Sequence, residues 1–213
     1  MAEQKQTFAS KYYDRWAKSY ETGLRLRLWF WRLLGKTREN VLLEDGKAIY
    51  DLGCGTGNLL RNIHEKYPNA VLYGSDVSEG MISKASEKFQ GIGEDRVCLK
   101  IADMNERFPW DDAMFDYVIT TYCFHHSKEP EKTLQEVLRI LKPGGTFYLA
   151  DLCYPPVINW MVNVIYPRIL RWKDHIKFMR RKKIRQALIS AGFTGVCQKR
   201  ISLFAVFSTG IKS

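Results

Sequence analysis

Three acids, a glycine loop and a pair of histidines carry the chemistry open to this chain. The apolar run Ala48-Ile49-Tyr50 ends on Asp51, and Gly53, Gly55 and Gly57 then follow at alternate positions. A short strand of this kind delivers a carboxylate and a tight turn to one spot, where missing Cβ atoms let a ligand lie against backbone. The spacing decides which ligand. A dinucleotide fingerprint reads G-x-G-x-x-G and seats a pyrophosphate on a helix N-terminus, whereas here the order is G-x-G-x-G with an acid two residues ahead. That acid repels phosphate and suits a ligand carrying an amine.

The elements that must position these residues alternate. Candidate strands are Ala48 to Asp51, Val71 to Ser75, Val97 to Ile101, Tyr117 to Thr121 and Thr146 to Ala150. Helical stretches lie between them: Leu59 to Tyr67, Glu79 to Phe89, and Pro130 to Leu141, the last with Leu134, Val137, Leu138 and Leu141 at helical spacing. Lys142-Pro143-Gly144-Gly145 ends that helix, because Pro cannot continue it and Gly permits a turn. An insertion from Cys153 to about Lys183 precedes a helix near Ile184 to Ala191, and two β-like runs, Thr194 to Lys199 and Leu203 to Ser208, are close enough to pair as a hairpin. This is the pattern of an α/β, doubly wound, Rossmann-like sheet. At 213 residues with 46% hydrophobic content the chain is long enough for one well-packed domain. We divide it into a helical N-terminal arm (1–47), a core (48–152), a cap insertion (153–183) and a last helix with hairpin (184–213).

In open α/β sheets ligands bind beyond the carboxyl ends of the strands, and the residues there are informative. Asp76 stands after the second strand, Ala102-Asp103-Met104 after the third, and Thr121-Tyr122-Cys123-Phe124-His125-His126 at the end of the fourth. The loop Asp51 to Gly57 resembles motif I of the class I S-adenosylmethionine-dependent methyltransferases. Strand, paired histidines, helix and Pro-Gly-Gly in this order resemble the small-molecule members related to ubiquinone and menaquinone biosynthesis enzymes. The resemblance covers roughly residues 8 to 208 and implies seven strands, five parallel ones closed by the antiparallel hairpin. It implies S-adenosyl-L-methionine as cofactor, with Asp51 at its amino-acid end, Asp76 at the ribose, and Gly53, Cys54, Gly55, Val77, Met81 and Thr121 also among the cofactor-binding residues. Asp103 then accepts the adenine amine and the Met104 backbone meets the ring. Asp76 and Asp103 equally suit helix caps, and Cys54 suits a packed turn.

Within the arm, Tyr13-Asp14-Arg15-Trp16-Ala17-Lys18-Ser19-Tyr20 is similar to a family arm written roughly Y-D-x-x-A-x-x-Y that folds over the cofactor. Tyr13 or Tyr20 then reaches the methionine carboxylate. A helix packing its aromatic face on the domain is the plainer reading of the same residues.

The methyl donor is already activated, so the protein must align the acceptor, exclude water and, for hydroxyl or thiol acceptors, remove a proton. Orientation contributes on the order of 7–11 kcal/mol and a base about 10²- to 10⁴-fold. His125, His126 and Tyr122 are the candidate catalytic residues, with either histidine as the acceptor contact. No metal-ligating cluster of the catechol-methyltransferase kind stands out, because the carboxylates at the sheet edge are assigned to the cofactor.

Charge and cysteine usage bear on partners. Residues 1–47 carry 10 Lys+Arg against 6 Asp+Glu, residues 48–150 carry 11 against 15, and residues 151–213 carry 12 against 2. The positive excess therefore lies on the arm and the late segment and speaks of the partner. In the insertion, Val157 to Tyr166 is apolar and aromatic, and Arg168 to Arg185 is strongly basic. The arm's Leu24 to Leu34 mixes the same ingredients. Both fit an apolar lid with a basic outer face, or peripheral association with an anionic membrane surface. Either way the expected acceptor is an apolar or aromatic small molecule or lipid-like compound, with the methylated atom (O, N, S or C) open. Nucleic acid is disfavoured, since Thr120-Thr121-Tyr122-Cys123 stands where base-methylating enzymes carry a Pro-Pro-aromatic box. Five cysteines, an odd number without a C-x-x-C pair, and no apolar stretch in Met1 to Ser10 point to a cytoplasmic protein, peripheral at the membrane if the surface reading holds. The competing functions are an NAD-binding oxidoreductase, which the glycine spacing and Asp51 oppose, and a non-catalytic cofactor-binding or scaffold protein.

Overall fold

The computed structural model describes residues 8–17, 34–169 and 175–213. Tyr20, the Leu24 to Leu33 part of the arm, and Arg171 and Lys173 of the basic run lie outside them. The described chain runs α1 (Phe8–Ala17), β1 (Ala48–Leu52), α2 (Asn58–Lys66), β2 (Val71–Asp76), α3 (Glu79–Lys88), β3 (Val97–Ile101), β4 (Phe115–Thr121), α4 (Pro130–Ile140) and β5 (Leu141–Leu152), then the cap, α7 (Arg181–Ala191), β6 (Thr194–Ser202) and β7 (Ala205–Ile211). In the cap, α5 (Pro156–Trp160), a π-helical turn (Met161–Ile165) and α6 (Tyr166–Ile169) follow one another directly.

Alternation of side chains along each strand splits the core between the two faces of one sheet. Tyr50, Leu52, Val118, Phe147 and Leu149 point to the face covered by Leu134, Val137 and Ile140 of α4 and Ile184 and Leu188 of α7. Ile49, Leu72, Ile119, Tyr148 and Ala150 point to the other, under Leu59, Leu60 and Ile63 of α2 and Ile82 of α3. The strand order is β3-β2-β1-β4-β5-β7-β6. β1 pairs in parallel with β2 on one side (Ile49 opposite Leu72) and with β4 on the other (Ile49 opposite Tyr117). The chain thus reverses direction of growth at β1, and the crevice between the carboxyl ends of β1 and β4 is where such sheets bind ligands.

β7 lies antiparallel between β5 and β6, which is the terminal hairpin expected from the last two runs. The turn falls later than its composition suggests. Leu203, expected in a strand, sits at the tip and is 65% exposed, while β7 continues to Ile211. Pro143-Gly144-Gly145 differs more. It is not a free turn: Gly144 N–H donates to the Lys212 carbonyl, Lys212 N–H donates back to Gly145, and Lys142 Nζ bridges to Asp116 at 2.8 Å. Pairing with the chain just beyond β7 draws these residues into β5, with Gly144 at φ 77° supplying the kink.

Candidate functional site

The loop after β1 is held by its backbone before any ligand is considered. Gly53 and Cys54 both donate N–H bonds of 2.9 Å to the Ser75 carbonyl on β2. Gly53, Gly55 and Gly57 have φ of 78°, 54° and 74°, a region that side chains with a Cβ rarely enter. The three glycines serve different ends. A Cβ on Gly53 would overlap the Cys123 side chain after β4, and one on Gly57 would press on Ala85 and Phe89 at 3.1 and 3.3 Å. One on Gly55 would meet nothing within 4 Å. Only Gly55, then, leaves space on the ligand side, while the other two let the loop pack.

A solvent-open cleft of about 350 Å³ lies along this loop, lined by Asp51, Gly53, Gly55, Thr56, Leu34 and Thr121 among others. Asp51 is 1% exposed, and its Oδ1 is buried with no hydrogen-bond partner among the described residues. Burial, and then the neighbouring Asp76 charge, raise its carboxyl to about 8. A buried acceptor left without a donor is costly, and this one borders the cleft. It suits a cationic amine brought by a ligand, which would supply both charge and donors.

Asp76 caps the turn after β2. Its Oδ2 accepts from Gly55 N–H and its Oδ1 from Ser78 N–H, each at 3.0 Å, and every oxygen keeps a second lone pair for a ligand hydroxyl. Burial lifts its carboxyl to about 6 against the pull of those two N–H groups. Asp76 therefore fixes the glycine loop as well as facing the crevice. Beyond it, Val77 is half-buried, and Met81 is 3% exposed with its N–H on the Ser78 hydroxyl, the cap of α3. After β3, Asp103 Oδ1 accepts from the backbone and side chain of Asn105 at 2.9 and 2.8 Å, and the Met104 side chain packs into the core.

The arm enters through two adjacent residues. Asp14 Oδ1 accepts from Ser78 Oγ at 2.6 Å and Gly80 N–H at 3.0 Å, placing an anion on the N-terminus of α3 where the exposed N–H groups favour it. A Cβ on Gly80 would come within 3.3–3.5 Å of Asp14 and Ala17, so the glycine is what lets α1 come this close. Tyr13 places its hydroxyl 2.7 Å from His126 Nε2. α1 thus ties the start of α3 to the turn after β4 across the crevice.

That turn is tight. Tyr122 has φ 54°, unusual for a residue with a side chain, and its hydroxyl lies 3.0 Å from Thr37 Oγ1. Burial pushes the Tyr122 hydroxyl up to about 12, and the Cys123 thiol up as well, so both stay protonated at neutral pH. His125 and His126 occupy the 3₁₀ turn Phe124–His126. His126 Nδ1 donates to the His175 carbonyl at 3.3 Å, which leaves Nε2 to accept from Tyr13. Burial and then the neighbouring His125 lower His126 to about 3, keeping it neutral. His125 Nδ1 lies 2.8 Å from Asp151 Oδ1.

Among the sequence-derived residues, Asp51, Gly53, Cys54, Gly55 and Thr121 line the cleft, Asp76 is tied to it through Gly55 N–H, and Tyr122, His125 and His126 lie on the turn that follows β4. Tyr13 joins them through His126, not through an open hydroxyl. Reasoning from sequence overlooked Asp151, although it directly follows the predicted strand Thr146 to Ala150, at the end of a strand where every other such residue had been inspected. Asp14, matched in the arm pattern but given no role there, is the residue that fastens α1 to α3.

Comparison with known proteins identifies the family. A family described as a methyltransferase domain matches residues 43–187. Among curated proteins, the demethylmenaquinone methyltransferase of Clavibacter sepedonicus is 35% identical over 60% of this chain and 49% of its own length. The ubiquinone/menaquinone biosynthesis C-methyltransferase of Desulfotalea psychrophila is 34% identical over 52% of this chain and 43% of its own. The chain thus spans about half the length of these relatives, and less of some others. Among solved structures, a chain from the complex of the Haloferax volcanii Trm112 methyltransferase activator with a methyltransferase superposes with a TM-score of 0.78 at 22% identity, covering 94% of this chain and 97% of that one. With motif I, the β1/β4 crevice and the seven-stranded order on the same residues, the chain belongs to the methyltransferase-domain family of class I, Rossmann-like fold.

Proposed function

We propose that this protein transfers a methyl group from S-adenosyl-L-methionine to an apolar or aromatic small molecule or lipid-like acceptor. The buried, partnerless Asp51 oxygen beside the Gly55 opening carries the cofactor assignment. When bound, S-adenosylmethionine supplies a methyl group activated on a sulfonium. Asp51 holds the amino group, Asp76 the ribose hydroxyls and Asp103 the adenine amine, while α1, pinned by Tyr13 and Asp14, shields the crevice from water. His125, Phe178 and Tyr154 form a partly aromatic wall: ring centroids lie 4.6 Å apart between His125 and Phe178 and 5.2 Å between Tyr154 and Phe178. Such a wall suits a flat or apolar acceptor.

The deciding experiment pairs binding with transfer. S-adenosylhomocysteine should raise the melting temperature and NADH should not, and label from methyl-labelled S-adenosylmethionine should appear in an apolar acceptor pool analysed by mass spectrometry. A shift with NADH alone would favour an oxidoreductase. Binding of S-adenosylhomocysteine without any labelled acceptor would favour a non-catalytic scaffold.

We place the acceptor's source at an anionic membrane surface. Val157, Trp160 and Ile169 of the cap are 71%, 58% and 72% exposed, and α5 buries none of its residues. Arg168, Lys177 and Arg180 to Lys183 are exposed nearby in sequence. Each such cation contributes about 1 kcal/mol near anionic lipid, and Trp favours the interface. No helix among the described residues is long and apolar enough to cross a membrane. The protein is expected to sediment with phosphatidylserine-containing vesicles at low salt, much less at high salt, and not with pure phosphatidylcholine. Absence of binding at low salt would remove the surface role and leave the cap as a lid.

A further inference from the structure

The two neighbouring histidines, ring centroids 4.3 Å apart, are separated by their hydrogen bonds. Both ring nitrogens of His126 are engaged, one by the His175 carbonyl and one by the Tyr13 hydroxyl. His125 uses only Nδ1, on Asp151 Oδ1, and among the described residues its Nε2 has no hydrogen-bond partner. The side chains of His125 and Asp151 are 10% and 5% exposed. A carboxylate accepting from Nδ1 selects the tautomer whose Nε2 carries the lone pair, and it stabilises the imidazolium formed when Nε2 takes a proton.

The ring is also held mechanically. Phe178 lies against it at 33°, and Asn163 grips the Phe178 backbone at both ends, Oδ1 accepting from its N–H at 2.8 Å and Nδ2 donating to its carbonyl at 3.0 Å. Lys177 N–H donates to the His125 carbonyl at 2.8 Å. Asp151 itself is fixed by the Leu152 N–H at 2.7 Å. The later part of the cap therefore closes on His125, which Asp151 of β5 holds through Nδ1. Nothing comparable aims His126 at an incoming molecule.

We propose that the acceptor is a weakly acidic X–H compound, a phenol-like hydroxyl or a thiol, with His125 as its base and Asp151 as the residue that positions His125. This deepens, and rests on, the methyl-transfer reading. The acceptor's X–H proton passes to His125 Nε2, the X lone pair forms the new bond to the methyl carbon, and the carbon–sulfur bond pair leaves with sulfur as S-adenosylhomocysteine. His125 then returns its proton to solvent. Such acids lie within reach of an imidazole, which is what makes the transfer efficient.

The test is nitrogen-15 imidazole NMR of the protein saturated with S-adenosylhomocysteine, in the wild type and Asp151→Asn. The wild type should show His125 as the Nδ1–H tautomer. In Asp151→Asn the tautomer preference should weaken, with S-adenosylhomocysteine affinity unchanged within about twofold. Methyl transfer to 2-naphthol, neutral at the assay pH, should fall about 10²-fold or more in Asp151→Asn and His125→Gln, and transfer to ionised pentafluorophenol should fall far less. An Nε2–H tautomer in the wild type, a tautomer preference indifferent to Asp151→Asn, or equal losses on both phenols would overturn the proposal. Failure to bind S-adenosylhomocysteine would instead strike the methyl-transfer reading itself.

Discussion

Asp51→Asn is expected to abolish useful cofactor binding, weakening S-adenosylhomocysteine by 10²-fold or more, while making the protein more stable at pH 8. The two effects share one cause. The carboxyl is raised to about 8 by burial and by Asp76, above its ordinary value near 3.9 in an unfolded chain. Between those two values the folded state holds a proton that the unfolded state has lost, so stability falls as pH rises through the window. An amide has no such proton. The advantage of Asp51→Asn should therefore be smallest near pH 4, grow up to about pH 8 and level off. We expect about 1–3 kcal/mol, since the amide's own donors must find partners in the same site, or about 2–4 °C of melting temperature per kcal/mol. The loss of binding follows because a ligand amine then meets no carboxylate. Melting curves at pH 5 and pH 8 check the first effect, and titration of S-adenosylhomocysteine the second. A variant that bound normally would remove Asp51 from the site.

Gly53→Ala should be the most damaging single methyl group in the loop. At φ 78° the residue incurs left-handed strain, and its Cβ overlaps Cys123, a packing conflict of about 1–3 kcal/mol on top of the backbone cost. The expected total is about 2–4 kcal/mol, measured by denaturant unfolding. Adding Cys123→Gly should recover the packing part and leave the backbone part. Gly55→Ala makes the contrast: its methyl group meets nothing in the protein, so it should cost about 1 kcal/mol of stability yet weaken the cofactor by occupying its space. If Gly53→Ala unfolded like the wild type, the account of how the β4 turn seats the loop would fail.

How far sequence alone reaches is clearest at particular residues. β1 to β4 begin and end within about two residues of their apolar runs, and for the inner strands β1 and β4 burial on both faces is what makes those runs continuous. The positions of Asp51 and Asp76 at the carboxyl ends of β1 and β2 were legible because the strands that carry them were. The arm's aromatic spacing did point to a helix at Tyr13, but not to the hydrogen bond with His126, which depends on residues 113 apart in the chain. The division of labour between His125 and His126 was equally hidden, since adjacent histidines look alike until Asp151 and His175 are seen on opposite sides. Pro143-Gly144-Gly145 misled for a related reason: local turn chemistry was overridden by pairing with Lys212, contributed from the far end of the chain. α7 starts three residues early because Arg181, Lys182 and Lys183 form a solvated first turn that carries no apolar signal.

The central claim is that the acid-and-glycine crevice between β1 and β4 binds S-adenosylmethionine through Asp51. Calorimetry of S-adenosylhomocysteine binding, repeated at pH 7 in two buffers of different ionisation enthalpy and then at pH 6 and pH 8, tests it directly. Because Asp51 is mostly protonated near pH 7 in the free protein and must ionise to meet the ligand's ammonium group, binding should release close to one proton, with affinity roughly 10- to 100-fold weaker at pH 6 than at pH 8. No binding, or binding that releases no proton and ignores pH, would contradict it.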